Sequence, residues 1–344
     1  MSVLCNINLN KPPDAPYLPG ETISGIIRYT IREPMETEKI IISLKGMGHL
    51  KIIHRQSNHN KNRISNNRTY LNDEVYVDND AIIHHGNWTV PPGDYEARFA
   101  FPLPLNIPPS LKYSGYRGRY RVYAYIKYYV RIKFERSGLF SFSKHFRKKI
   151  IVASGVAPRL PMEPCEYTKS RNLISFFSSK TRTIHLKGNI LTSVIPHGGK
   201  IQIECDIHND TNLDLTHVEV NLTQVYTFKI KYGFRDIPFY DDVKPCYTKT
   251  QAIERGAKHK VLFEFNVPLG CVSVEHSDLL SREYIVTITA KVPMPYRNVK
   301  LSIPVQIGDN MIIQHQEVVE PPPTYWEAMR EGEKDDNDDE NEKE

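Results

Sequence analysis

The chain has 344 residues, 40% apolar and 25% charged, enough to bury two ordinary cores and unlike a collagenous, low-complexity or wholly disordered chain. No apolar run approaches the ~20 residues of a membrane-spanning helix, and the first residues lack the basic flank and apolar stretch of a secretory signal. The net charge of +5 is uneven: from Glu317 onward 12 acidic against 3 basic residues carry −9, which leaves 42 basic against 28 acidic residues, or +14, on the body. Such a body suits an anionic partner surface, which the acidic tail can shield.

Along the chain the first pattern is alternation. Ile23, Gly25, Ile27, Tyr29 and Ile31 share one face, Ser24, Arg28 and Thr30 the other, and Ile40, Ile42 and Leu44 repeat the spacing. Period two marks half-buried antiparallel strands, and few stretches read as amphipathic helix. Residues 49–80, rich in Asn, His, Lys and Arg, read as a long exposed hairpin loop. A basic strand from Tyr120 to Phe134 then places Arg121, Lys127, Arg131 and Lys133 on one face, interleaved with Tyr123, Tyr125 and Tyr129. Residues 155–171 hold Gly155, Pro158, Pro161 and Pro164 and read as a linker.

The second half repeats the first. Shifted by 178 residues, Gly20 falls on Gly198, Ile23 on Ile201, Ile27 on Cys205, and Ile42 and Leu44 on Val220 and Leu222. At a shift of 164, Phe99 and Phe101 fall on Phe263 and Phe265, and Tyr120, Val122 and Ala124 on Tyr284, Val286 and Ile288. The expected fold is all-β. It consists of two tandem antiparallel, immunoglobulin-like β-sandwiches at 1–154 and 172–312, with a disordered acidic tail at 313–344.

Turns and strand entries point the same way. The first half carries Tyr-Leu-Pro-Gly-Glu-Thr-Ile-Ser-Gly at 17–25 and Gly-Tyr-Arg-Gly-Arg-Tyr at 115–120. The second carries Lys-Gly-Asn-Ile at 187–190 and Pro-His-Gly-Gly-Lys-Ile at 196–201. Over residues 1 to 310 the chain resembles the arrestin superfamily, its α-arrestin branch in particular. The second-half turn departs from the family's usual Pro-Gly-Glu. The resemblance implies a non-enzymatic adaptor, cytoplasmic and peripheral at plasma membrane and endosomes. Such an adaptor binds cytosolic regions of membrane receptors or transporters and brings a WW-containing HECT ubiquitin ligase to them.

The sharpest local signal is Pro322-Pro323-Thr324-Tyr325, preceded by Pro321. Consecutive prolines pre-set a polyproline II helix, so little entropy is lost on entering the aromatic groove of a WW domain. Tyr325 lies one turn beyond Pro322 on the same face. Composition predicts about 0.1 chance matches to this pattern, so its place in an accessible charged tail is what favours function. Relatives often carry two such motifs, and this chain has one.

The second signal is the basic strand. With Arg117 and Arg119 before it, Arg121, Lys127 and Arg131 could meet anionic lipid headgroups or phosphorylated cargo. The plainer reading is a solvated face whose cations guard against edge pairing. Five scattered cysteines, never spaced as Cys-x-x-Cys, read as reduced thiols. Cys205 and His208 resemble half a zinc site without a second half. No phosphate loop, nucleophile elbow or metalloprotease motif occurs, so no catalysis and no cofactor are expected, and no nucleic-acid partner. An arrestin-fold sorting scaffold that recruits no ligase, and a nucleic-acid module built on the basic strand, are the alternatives.

Overall fold

The computed structural model describes residues 3–55, 67–136, 143–173, 182–229 and 236–310, and every regular element among them is a strand. The first half forms β1 (Val3–Leu9), β2 (Thr22–Ile31), β3 (Met35–His54), β4 (Arg68–Val90), β5 (Gly93–Pro102), β6 (Leu111–Arg117), β7 (Tyr120–Glu135) and β8 (Lys144–Ile150). After β9 (Gly155–Val156) come β10 (Cys165–Asn172), β11 (Thr183–Ile190), β12 (Val194–Ile195), β13 (Lys200–Asp210) and β14 (His217–Phe228). The chain continues through β15 (Ile237–Lys249), β16 (Lys258–Asn266), β17 (Leu280–Lys291), β18 (Val299–Ile307) and β19 (Asp309–Asn310).

Each half packs two sheets face to face. The first sets β1-β2-β5 against β4-β3-β7-β6, with β8 also on β7; the second sets β10-β11-β13-β16 against β12-β18-β17-β14-β15. The alternation seen in the sequence decides which side chains meet between them. Ile23, Ile27, Ile31, Ile42 and Leu44 are buried in the first core, and Ile201, Cys205, Val220 and Leu222 in the second.

The repeat holds in backbone detail. Gly20 and Gly198 both adopt positive φ, 87° and 70°, and a Cβ on either would press on a leucine 85 or 71 residues later, Leu105 or Leu269. Glu21 N–H donates to Leu18 O at 3.1 Å and Gly199 N–H to Pro196 O at 2.9 Å, so the departure from the family's turn sequence leaves the turn unchanged. Ile23 pairs with Phe101 as Ile201 pairs with Phe265.

Register corrects one equivalence. Leu44 faces Val130 and Ile42 faces Ile132, as Leu222 faces Val286 and Val220 faces Ile288. The counterparts of Tyr284, Val286 and Ile288 are therefore Tyr128, Val130 and Ile132, eight residues beyond Tyr120, Val122 and Ala124. An even slip keeps every side chain on its own face, so alternation alone cannot detect it.

Two further expectations change. Most of residues 49–80 is strand, because β3 runs to His54 and β4 starts at Arg68. Cys165–Asn172, which takes in the end of the expected linker, pairs with β11 as an edge strand of the second sandwich.

The extended ends of β3, β4 and β7 reach over the second sandwich. Tyr226, Phe228, Phe239, Val274, Leu279 and Leu280 join the first core. Tyr113 on β6 lies 4.5 Å from the Tyr226 ring and 5.0 Å from that of Phe228. Glu74 is the polar clasp of this junction. Its carboxylate accepts from Asp278 N–H at 2.9 Å, Ser277 Oγ at 3.0 Å and Tyr76 Oη at 2.8 Å.

Candidate functional site

The tail motif, Pro322, Pro323 and Tyr325, lies outside the described residues. The basic strand lies within them. Val122, Ala124, Ile126, Tyr128, Val130 and Ile132 of β7 point inward and are buried, so the odd-numbered residues face out. Arg121 and Lys127 are exposed and Arg131 is half-buried.

Rings and cations alternate on this face. The Arg121 guanidinium lies 5.0 Å from the Tyr123 ring centre and the Lys127 ammonium 3.8 Å from that of Tyr125. From β8, Arg147 lies 6.0 Å from Tyr129. Each such contact is worth about 0.5–1 kcal/mol at an exposed site, which favours side chains lying along the sheet.

Nearby carboxylates are already engaged. Lys45 bridges Asp78 and Asp80, the latter at 2.7 Å, His49 meets Asp73 at 2.5 Å, and Lys133 meets Glu135 at 2.6 Å. Burial disfavours the charge on Lys45, but the hydrogen bonds it donates to its two aspartates outweigh this and raise its pKa. Burial likewise opposes ionisation of Asp80, and Lys45 overrides it, holding that carboxyl below its usual range. Among the described residues, Arg121, Lys127, Arg147 and Lys149 enter no ion pair.

Strand position separates two kinds of cation. Among the described strands β8 pairs only with β7, so Lys144, Arg147, Lys148 and Lys149 sit where an open edge needs guarding. β7 is covered by β3 on one side and by β6 and β8 on the other. Its cations guard no edge.

Arg117 and Arg119 leave this face. Gly118, at φ 57°, turns β6 into β7. Arg117 Nη1 donates to Tyr240 O of the second sandwich at 2.8 Å. Arg119 helps line a cavity of about 490 Å3 with His54, Tyr120, Pro238 and Phe239. Sequence could not assemble this cavity, because its walls come from both sandwiches.

The other candidates resolve locally. Cys205 is buried, its thiol pushed up to about 12 by burial, and burial also carries Cys5 and Cys246 to about 11. None is a ready thiolate. His208 points away from Cys205 and instead stacks on His185, ring centres 5.7 Å apart. No cluster of three metal-binding side chains occurs among the described residues.

Residues 5–157 match the family model described as Arrestin (or S-antigen), N-terminal domain, and residues 180–312 match its C-terminal counterpart. The chain belongs to the arrestin superfamily. No curated protein sequence matches it. Arrestin domains mark a family of trafficking adaptors and scaffolds. In this arrestin no helix among the described residues is long and apolar enough to cross a membrane.

Proposed function

We propose that this arrestin is a non-enzymatic adaptor of the α-arrestin branch. Its sandwiches hold the cytosolic parts of membrane receptors or transporters, and its tail recruits a HECT-type ubiquitin ligase through a WW domain. Cargo ubiquitination, endocytosis and endosomal sorting follow from bringing the two together. The observation that carries the reading is Pro322-Pro323-Thr324-Tyr325 in an acidic tail beyond two arrestin domains.

The prolines supply a preformed groove ligand and Tyr325 the aromatic anchor. Thr324 faces away, so Thr324→Ala leaves affinity nearly unchanged. Tyr325→Ala removes the anchor and costs about 2 kcal/mol, roughly thirtyfold. A phosphate on Tyr325 forces charge into an apolar pocket and abolishes binding. Titrating a peptide of residues 316–332 into an isolated WW domain tests this. Equal affinity for wild type and Tyr325→Ala would refute ligase recruitment and leave a sorting scaffold.

A further inference from the structure

We propose that the outward face of β3, β7 and β8 docks on an anionic membrane surface. The first ground is charge left over in an unusual place. Arg131 and Arg147 stand directly opposite each other on β7 and β8, and Lys149 faces Tyr129 one step along. Like charges opposed across strands destabilise a sheet unless something neutralises them. Arg131 Nη2 reaches Ser43 Oγ only at 3.5 Å, and its Nε finds no hydrogen-bond partner. The carboxylates of Asp73, Asp78, Asp80 and Glu135 are taken by His49, Lys45 and Lys133. Arg131 also feels the Asp80 carboxylate that Lys45 holds, but Arg121, Lys127, Arg147 and Lys149 enter no ion pair among the described residues, so the face keeps an excess of cations for an anionic partner.

The second ground is what lies between the cations. Met47 on β3 stands between Val75 on β4 and Lys127 on β7, and Val75 is 66% exposed, Met47 39%. Leu71 is 59% exposed four pairs further along, on the same face. Tyr123, Tyr125 and Tyr129 complete the pattern. Aliphatic side chains, tyrosines and snorkelling cations on one surface suit the headgroup boundary of a bilayer.

Layout decides between a bilayer and a single phosphate. From Arg121 to Arg131 the cations spread along ten residues of strand, roughly 33 Å at about 3.3 Å per residue. One phosphate ester is met by a tight fork of donors. An array this long matches a plane of many headgroups. The proposal does not involve the tail motif, so its failure leaves ligase recruitment standing.

The test is co-sedimentation of the full chain with phosphatidylcholine vesicles, with and without about 30% phosphatidylserine, at about 0.1 M salt. Wild type should bind only the anionic vesicles and be released by added salt. Each cation held at an anionic surface contributes about fivefold, so Lys127→Ala/Arg147→Ala/Lys149→Ala should weaken binding roughly a hundredfold. Lys169→Ala/Lys244→Ala/Lys258→Ala, exposed on the second sandwich, should bind as wild type. Val75→Asp keeps every cation and should still weaken binding, which decides the matter should the triple variant unfold. Wild type that ignores anionic vesicles, or variants that bind as wild type does, would overturn the proposal. So would tight binding of a phosphoserine peptide without vesicle binding, which would assign the face to phosphorylated cargo.

Discussion

Gly20 and Gly198 show how single residues carry the repeat. Both hold the left-handed backbone, and both lie under a leucine side chain whose end would meet an added Cβ. Alanine at either should cost about 1–2 kcal/mol, chiefly backbone strain, since the leucine end can swing aside. Denaturant midpoints would show it. Leu44 and Leu222, wholly buried at equivalent places, should each cost about 2–5 kcal/mol on truncation to alanine. Glu219 adds a pH signature. Burial disfavours its charge, but Lys291 at 2.8 Å and His217 at 3.3 Å override it, and its pKa falls below 4.5. A depressed carboxyl stabilises the fold above its unfolded value and loses that contribution as pH drops through the folded one. Urea midpoints should therefore fall below about pH 4.5 in wild type, and less steeply in Glu219→Gln. Gly20, Gly198, Leu44 and Leu222 were legible because burial and turn chemistry leave local marks, whereas Glu219 left none. Nor was Glu74 legible, since two of its three donors, Ser277 and Asp278, lie some two hundred residues away.

At the scale of elements, strand faces could be read and strand ends could not. A 16-residue β7 alternates so evenly that sliding it by eight residues changes no face. That extra length is what β6 pairs with, and it carries the hairpin over the second sandwich. Polar residues in 49–80 suggested a loop, yet 49–54 and 68–80 are strand, while 56–66 lie outside the described residues. Gly48 tests this junction. A Cβ there would meet Leu279 Cδ1 at 2.7 Å and Tyr76 Oη at 2.5 Å. Gly48→Val should destabilise the contact by about 1–3 kcal/mol. Hydrogen exchange should quicken around Tyr226 and Phe228 while Ile42 and Leu44 stay protected.

At the scale of the whole molecule, the two sandwiches and the tail divide the work. The sandwiches supply two cores and, on one sheet, a face of uncompensated cations. The tail carries the motif proposed to recruit a ligase, legible because a polyproline ligand needs no tertiary context to be recognised. Where Arg117 and Arg119 would lie was hidden, because only the folded pair of sandwiches sets the turn at Gly118 against Tyr240. The most direct test of the adaptor account uses the full chain and a WW-containing fragment of a HECT ligase, titrated by calorimetry. Wild type should form a complex that Tyr325→Ala weakens at least about thirtyfold, with the thermal unfolding of the sandwiches unchanged. Undiminished binding by Tyr325→Ala, or no complex with wild type, would contradict it.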